Sequence, residues 1–200
     1  VILNPDWTVP GRIARTDILA QIRRDPGYLR RGGYVVYESW APEAKRLDPA
    51  AIDWKSLSSG FPYKLRQLPG PNNALGRIKF MISSPYDIYL HDTPQRELFR
   101  RSARALSNGC IRLADPFALA DRLMRFAPDW PGARDTALAA GRTEFRSLAR
   151  PVPVHIVYLS AWADADGVLN FREDVYGRAR RAEALIAARP ETQEAGPGGC

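Results

Sequence analysis

Two β-rich runs, RIKFMIS (77–83) and YDIYLHD (86–92), stand almost end to end, joined at a turn-like Ser-Pro-Tyr whose tyrosine opens the second run. Runs rich in β-branched and aromatic residues, bounded by turn formers, read as strands. They make the region from Leu75 onward a β core, and the rest of the chain has to be arranged around it. Upstream, VILNPDWTVP is extended, because Pro5 and Pro10 block a helix. RTDILAQIRRD is predicted as a short helix with Thr16 as N-cap and Ile18, Leu19 and Ile22 as its apolar side. YVVYESW follows as a strand. The polar, Pro-rich stretch to about residue 70 reads as loops with one or two short turns, so residues 16–66 are expected to be an insertion or lid.

Downstream, TPQRELFRRSARAL is expected to be partly helical after Pro94. The clearest helix is ADPFALADRLMRFA. Asp115 is its N-cap, Pro116 its first residue, and Phe117, Ala120, Leu123, Met124 and Ala127 form one stripe. GARDTALAAGR is a further short helix. VPVHIVYLSAWAD (152–164) reads as a long strand that pairs with GVLNF through DADG. EDVYGRARRAEALIAA turns helical before a tail over 186–200. The expected class is mainly β with α, an α+β fold in one domain over 1–185.

The net charge of +7, carried by twenty-five Arg against four Lys, favours anionic partners. The arginines are scattered, with no zinc-finger spacing and no long basic helix, so nucleic acid is not an expected partner. The stretch 96–104 reads as a solvated face. No apolar run is long enough to span a membrane. The N-terminus lacks the pattern of a signal peptide and reads like the end of a strand, so the chain is expected to be cut from something longer. Two cysteines, Cys110 and Cys200, are not expected to bridge, since Cys200 closes a GPGGC tail.

Cys110 lies in ALSNGCIRL, among turn-forming and polar neighbours rather than apolar ones. A nucleophilic cysteine needs a base for its proton, and backbone N–H groups for the oxyanion formed on attack. Gly109 lets the backbone approach a substrate. The chain has two histidines. His91 ends a strand, where catalytic groups commonly emerge. His155 is flanked by apolar residues and reads as structural. A metal site from His91, Cys110 and His155 matches no zinc spacing.

The pattern YLHDTP … SNGCIRL resembles the signature of YkuD-type L,D-transpeptidases, cysteine enzymes that cross-link bacterial peptidoglycan. LNPDWTVP, LPGPNNALGRIKFMI and PVPVHIVYLSAW are similar to the YcbB-like branch, so the likeness covers about residues 1–178. The resemblance implies a β-sandwich core with a capping subdomain over 16–66, here without the strands that normally precede VILNP. It implies Cys110 as nucleophile and His91 as base, with the Asp92 carbonyl orienting the imidazole and the Gly109 and Cys110 N–H groups as oxyanion hole. Arg112, Ser107, Asn108, Tyr89 and Trp7 would contact substrate. Asn108 departs from the histidine common in the family, so no second catalytic side chain is expected there. The implied partners are peptidoglycan stem peptides, with carbapenem-type β-lactams as covalent inhibitors. The implied place is the periplasm of a Gram-negative envelope, with no metal and no organic cofactor. Hydrolysis as an L,D-carboxypeptidase, or wall binding without catalysis, remain alternatives.

Overall fold

The runs on either side of Pro85 do become neighbouring strands, and three short strands from distant parts of the chain extend them into a sheet. The computed structural model describes residues 1–57 and 60–187, in two units, Val1–Val152 and the residues from Pro153 onward. In the first unit, a five-stranded sheet has the order β8 (Ile111–Arg112), β7 (Tyr89–His91), β6 (Ile78–Met81), β1 (Ile2–Leu3), β9 (Glu144–Phe145). Its pairs are antiparallel except β7 with β8.

Successive residues of a strand face opposite sides, and paired residues face the same side. Leu3 pairs with Ile78 and Phe80 with Leu90, which puts these four on one side. That side carries the core: Leu3, Ile78 and Phe80 pack with Ala120, Met124, Trp130 and Ala137 from the helical segments beyond it. Helix α4 (Pro116–Leu123) begins where the sequence predicts, with the Asp115 carboxylate accepting from the Ala118 N–H at 3.0 Å. Helix α5 (Trp130–Ala140) has the predicted length but lies two residues earlier in the chain. It starts at Trp130 with Pro131 in its first turn and stops at Gly141, which takes the left-handed conformation of a C-terminal cap.

The stretch read as loops is more ordered than its composition implied. Strands β2 (Trp7–Thr8), β5 (Lys64–Gln67), β3 (Tyr34–Tyr37) and β4 (Arg46–Leu47) form a second sheet in that order. Its core consists of Val9, Ala14, Ile18, Ile22, Leu29, Val36 and Leu65, with Trp54, Phe61 and Tyr63 packed against them. These strands are two to four residues long, too short for a period of two to stand out. The sheet also draws in Trp7–Thr8 ahead of residue 16 and Gln67 behind residue 66. The early helical segments are α1 (Gly11–Ile13), α2 (Leu19–Arg24) and α3 (Tyr28–Arg31), and the first begins at Gly11, directly after Pro10, rather than at Thr16. Thr16 lies inside a π-helical turn, Ala14–Ile18, and its hydroxyl donates back to the Arg12 carbonyl at 3.1 Å. Proline introduces this helix instead of blocking it, which its fixed φ permits at a helix start. Ile18, Leu19 and Ile22 are buried as expected.

In the second unit, the strand predicted over 152–164 shrinks to β10 (Ala161–Ala163), paired with β11 (Leu169–Phe171). Pro151 and Pro153 remove two ladder donors, and among the described residues no strand pairs with 152–159. The expected hairpin forms, its loop tied by the Asp164 carboxylate accepting from the N–H groups of Asp166 and Val168. Helix α6 (Arg178–Ala187) follows. The tail from 188 on, with Cys200, lies outside the described residues. Among those described, no helix is long and apolar enough to cross a membrane.

Ile78 is fully buried where β6 meets the helical layer. Ile78→Ala is therefore expected to lower unfolding free energy by about 2–5 kcal/mol, read from urea midpoints at constant slope.

Candidate active site

The same pairing that buries Leu3 and Ile78 sends their neighbours to the other side of the sheet. Ile2 pairs with Lys79, Lys79 with His91, and His91 with Arg112. Leu90 pairs with Ile111, so Cys110 comes alongside Tyr89 on this second face. Lys79, Tyr89, His91, Cys110 and Arg112 thus share one face across three adjacent strands.

His91 is 5% exposed, and its Nδ1 lies 2.5 Å from the Asp92 carbonyl oxygen. A carbonyl can only accept, so Nδ1 carries the hydrogen and Nε2 keeps its lone pair. Burial pulls the imidazole pKa below its ordinary value of 6.5, and the cations Arg112 and Lys79 add to this, while the Asp92 carbonyl opposes it. The neutral ring, with a free Nε2, is the form a general base requires.

Asp92 owes its fixed position to residues the sequence reading did not single out. Its N–H donates to the Ile78 carbonyl at 2.9 Å. Its buried carboxylate accepts from the Arg77 N–H at 2.8 Å and from Arg96 Nη2 at 2.6 Å. Arg96 Nη1 also donates to the Ala114 carbonyl at 2.7 Å. Arg77 in turn donates to Asn4 Oδ1 at 3.0 Å. Gly76 has φ of 63°, and a Cβ there would stand 2.4 Å from the Asp92 carboxyl carbon. The signal for Gly76 was its place in ALGRIKF, just ahead of a strand; nothing local pointed to Arg96.

Cys110 is a free, half-buried thiol. Burial, then the neighbouring Cys110, push the Tyr89 phenol pKa up. The Tyr89 and His91 rings meet edge to face, 5.9 Å between centroids. Tyr89 therefore stands beside the cysteine, with Trp7 of the second sheet close to Tyr89. Arg112 is half-buried opposite His91.

The loop before Cys110 is exposed and internally bonded. Gly109 has φ of 128°, a left-handed value that favours glycine although nothing lies within 4 Å of a Cβ there. Its N–H donates to Ser107 Oγ at 3.3 Å, so this expected oxyanion donor is already engaged. Asn108 Nδ2 donates to Asp17 Oδ2 at 3.4 Å, tying the loop to the π-helical turn Ala14–Ile18. Ser107 and Asn108 thus contact the protein itself. His155 lies in the second unit and is exposed there. Lys79 is a functional candidate the reading passed over; a single lysine inside the apolar run Ile-Lys-Phe was its signal.

A family model described as the L,D-transpeptidase catalytic domain (YkuD) matches residues 1–154. The chain belongs to the YkuD family of L,D-transpeptidase catalytic domains. Over 181 residues, 90% of its length, this L,D-transpeptidase domain is 37% identical to a Haemophilus influenzae protein named "Putative L,D-transpeptidase". It spans 36% of that protein's length. The mixed α+β architecture agrees with the family's fold.

A Gly76→Ala change in the domain is expected to cost about 1–3 kcal/mol, since it strains a left-handed backbone and forces Asp92 aside. A lowered thermal midpoint together with slower Cys110 alkylation would mark both effects.

Proposed function

We propose that the domain is a cysteine-dependent peptidoglycan L,D-transpeptidase that forms 3→3 cross-links between tetrapeptide stems. The observation that carries this reading is the His91 ring, held as the Nδ1–H tautomer by the Asp92 carbonyl on the sheet face that also bears Cys110. His91 Nε2 takes the Cys110 proton, and the sulfur bonds to the carbonyl carbon between the third stem residue and D-alanine. The Cys110 N–H is the backbone donor we assign to the developing oxyanion. As the C–N bond breaks, the imidazolium returns the proton to the leaving D-alanine. The side-chain amine of a second stem then attacks the thioester, His91 accepts its proton, and the thiolate leaves and is reprotonated.

Tyr89, beside the sulfur, and Trp7, close to Tyr89, form on this reading the apolar walls of the substrate cleft, while Arg112 offers a cation to the substrate. On this reading the domain works in the periplasm, where its +7 charge suits an acidic wall polymer. Metal or organic cofactors have no part in the sequence of steps.

Exposure to a carbapenem should add one inhibitor mass to the wild-type chain and none to Cys110→Ala. An adduct that survives in the variant, or none in the wild type, removes Cys110 as the nucleophile. Incubation with tetrapeptide stems should give cross-linked dimer; tripeptide without dimer would mean hydrolysis instead.

The acylation rate should also report His91. The base acts only when unprotonated, so the rate rises with pH through the His91 pKa. Because burial and two cations lower that pKa, the acid limb should lie below the 6.5 of a free imidazole. A midpoint above 6.5 in carbapenem acylation kinetics would contradict the assignment.

A further inference from the structure

Lys79 and Arg112 both stand on the face that carries Cys110, one on each side of His91. Neither forms an ion pair with a carboxylate among the described residues. The acidic groups acting on Lys79 at longer range are Asp6 and Asp87. Asp6 is already paired with Arg66, and Asp87 is exposed. Asp17 is engaged with Thr16 and Asn108, and Asp92 with Arg96. This face therefore holds two half-buried cations with no anion of the chain assigned to them, an arrangement that costs folding energy unless a ligand completes it.

Lys79 is the better placed of the two. Its Nζ lies 3.8 Å from the centre of the Tyr89 ring, and Tyr89 is the neighbour of Cys110 on the adjacent strand. An ammonium on an aromatic face is held there by the ring quadrupole while its remaining donors stay free. One ring thus spaces a fixed cation from the reactive sulfur. The thiolate cannot be the sole counter-ion, because its charge vanishes once the acyl group is attached. A substrate carboxylate would be present from binding through acylation.

We propose that Lys79 is a carboxylate-binding residue of the cleft, receiving from the stem peptide a carboxylate that lies beside the scissile carbonyl. This rests on the transpeptidase reading for the identity of the ligand, and on the geometry alone for the capture of an anion next to Cys110. The carboxylate is either that of the departing terminal residue or the free one on the diamino acid.

Alkylation of Cys110 tests the anion site without any stem peptide. Iodoacetate and iodoacetamide react at the same carbon, with iodide leaving, and differ by a carboxylate against a neutral amide. Rates are read at the Cys110 peptide by mass spectrometry in the full chain, so Cys200 does not contribute. In Lys79→Met the ratio of the iodoacetate rate to the iodoacetamide rate should fall about tenfold, the scale of one partly screened charge at this range. Lys79→Arg should restore it, and the iodoacetamide rate checks that the site is intact. An unchanged ratio in Lys79→Met overturns the proposal.

Stems amidated at the terminal carboxylate or at the diamino-acid carboxylate then locate the ligand. Wild type should discriminate against one of them, and Lys79→Met should not. A Lys79-dependent alkylation ratio with no discrimination against either amide overturns the assignment to substrate. Failure of every stem to react, with the ratio still dependent on Lys79, would count against the transpeptidase reading and not against the anion site.

Discussion

Asp92 is the residue on which the geometry of the face depends. Its carbonyl selects the His91 tautomer, its N–H continues the ladder to Ile78, and its carboxylate joins Arg77 to Arg96. Each bond is of ordinary strength, but together they constrain one buried residue through both of its flanking peptides and its side chain. Displacing that residue would release the imidazole and leave a carboxylate unpaired, which is costly in an interior of low polarity. The ring's orientation therefore follows from the fold rather than from the ligand. Gly76 belongs to the same constraint, since only the absence of a Cβ leaves space for the Asp92 carboxyl group.

The second sheet contributes to the cleft through a few specific contacts. Trp7 lies close to Tyr89, and Asp17 accepts from Asn108, two residues before the cysteine. The latter contact arises from a π-helical turn, a local widening of the helix that is frequent at functional positions. Asn73 ties the two sheets together by donating to the Pro5 and Leu68 carbonyls at 3.0 Å each. The loop before Cys110 thus takes part of its shape from the π-helical turn, although its own Ser107–Gly109 bond fixes the turn locally.

What the sequence made legible follows from range. Asp115, Pro116 and the stripe through Met124 are local signals, and α4 forms where they place it. The runs around Pro85 are likewise local and become β6 and β7. Cys110 and His91 could be paired because motif chemistry is carried by short strings. The second sheet was hidden, since Lys64–Gln67 and Arg46–Leu47 are too short and polar to show a period and gain their strand character from Tyr34–Tyr37. The opposite error at 152–159 has the same origin: an apolar, β-branched string looks like a strand, yet strand structure requires a neighbour. Arg96 and Lys79 escaped notice because their importance is a matter of register with distant residues.

That register also limits how β6 can change over evolutionary time. Ile78, Lys79, Phe80 and Met81 alternate between the helical layer and the cleft, so each position can drift in identity independently of the next. Length is another matter. Deleting a single residue from this strand would bury an ammonium beneath the helices and turn an isoleucine out beside the sulfur, so insertions and deletions should accumulate in the loops and spare β6.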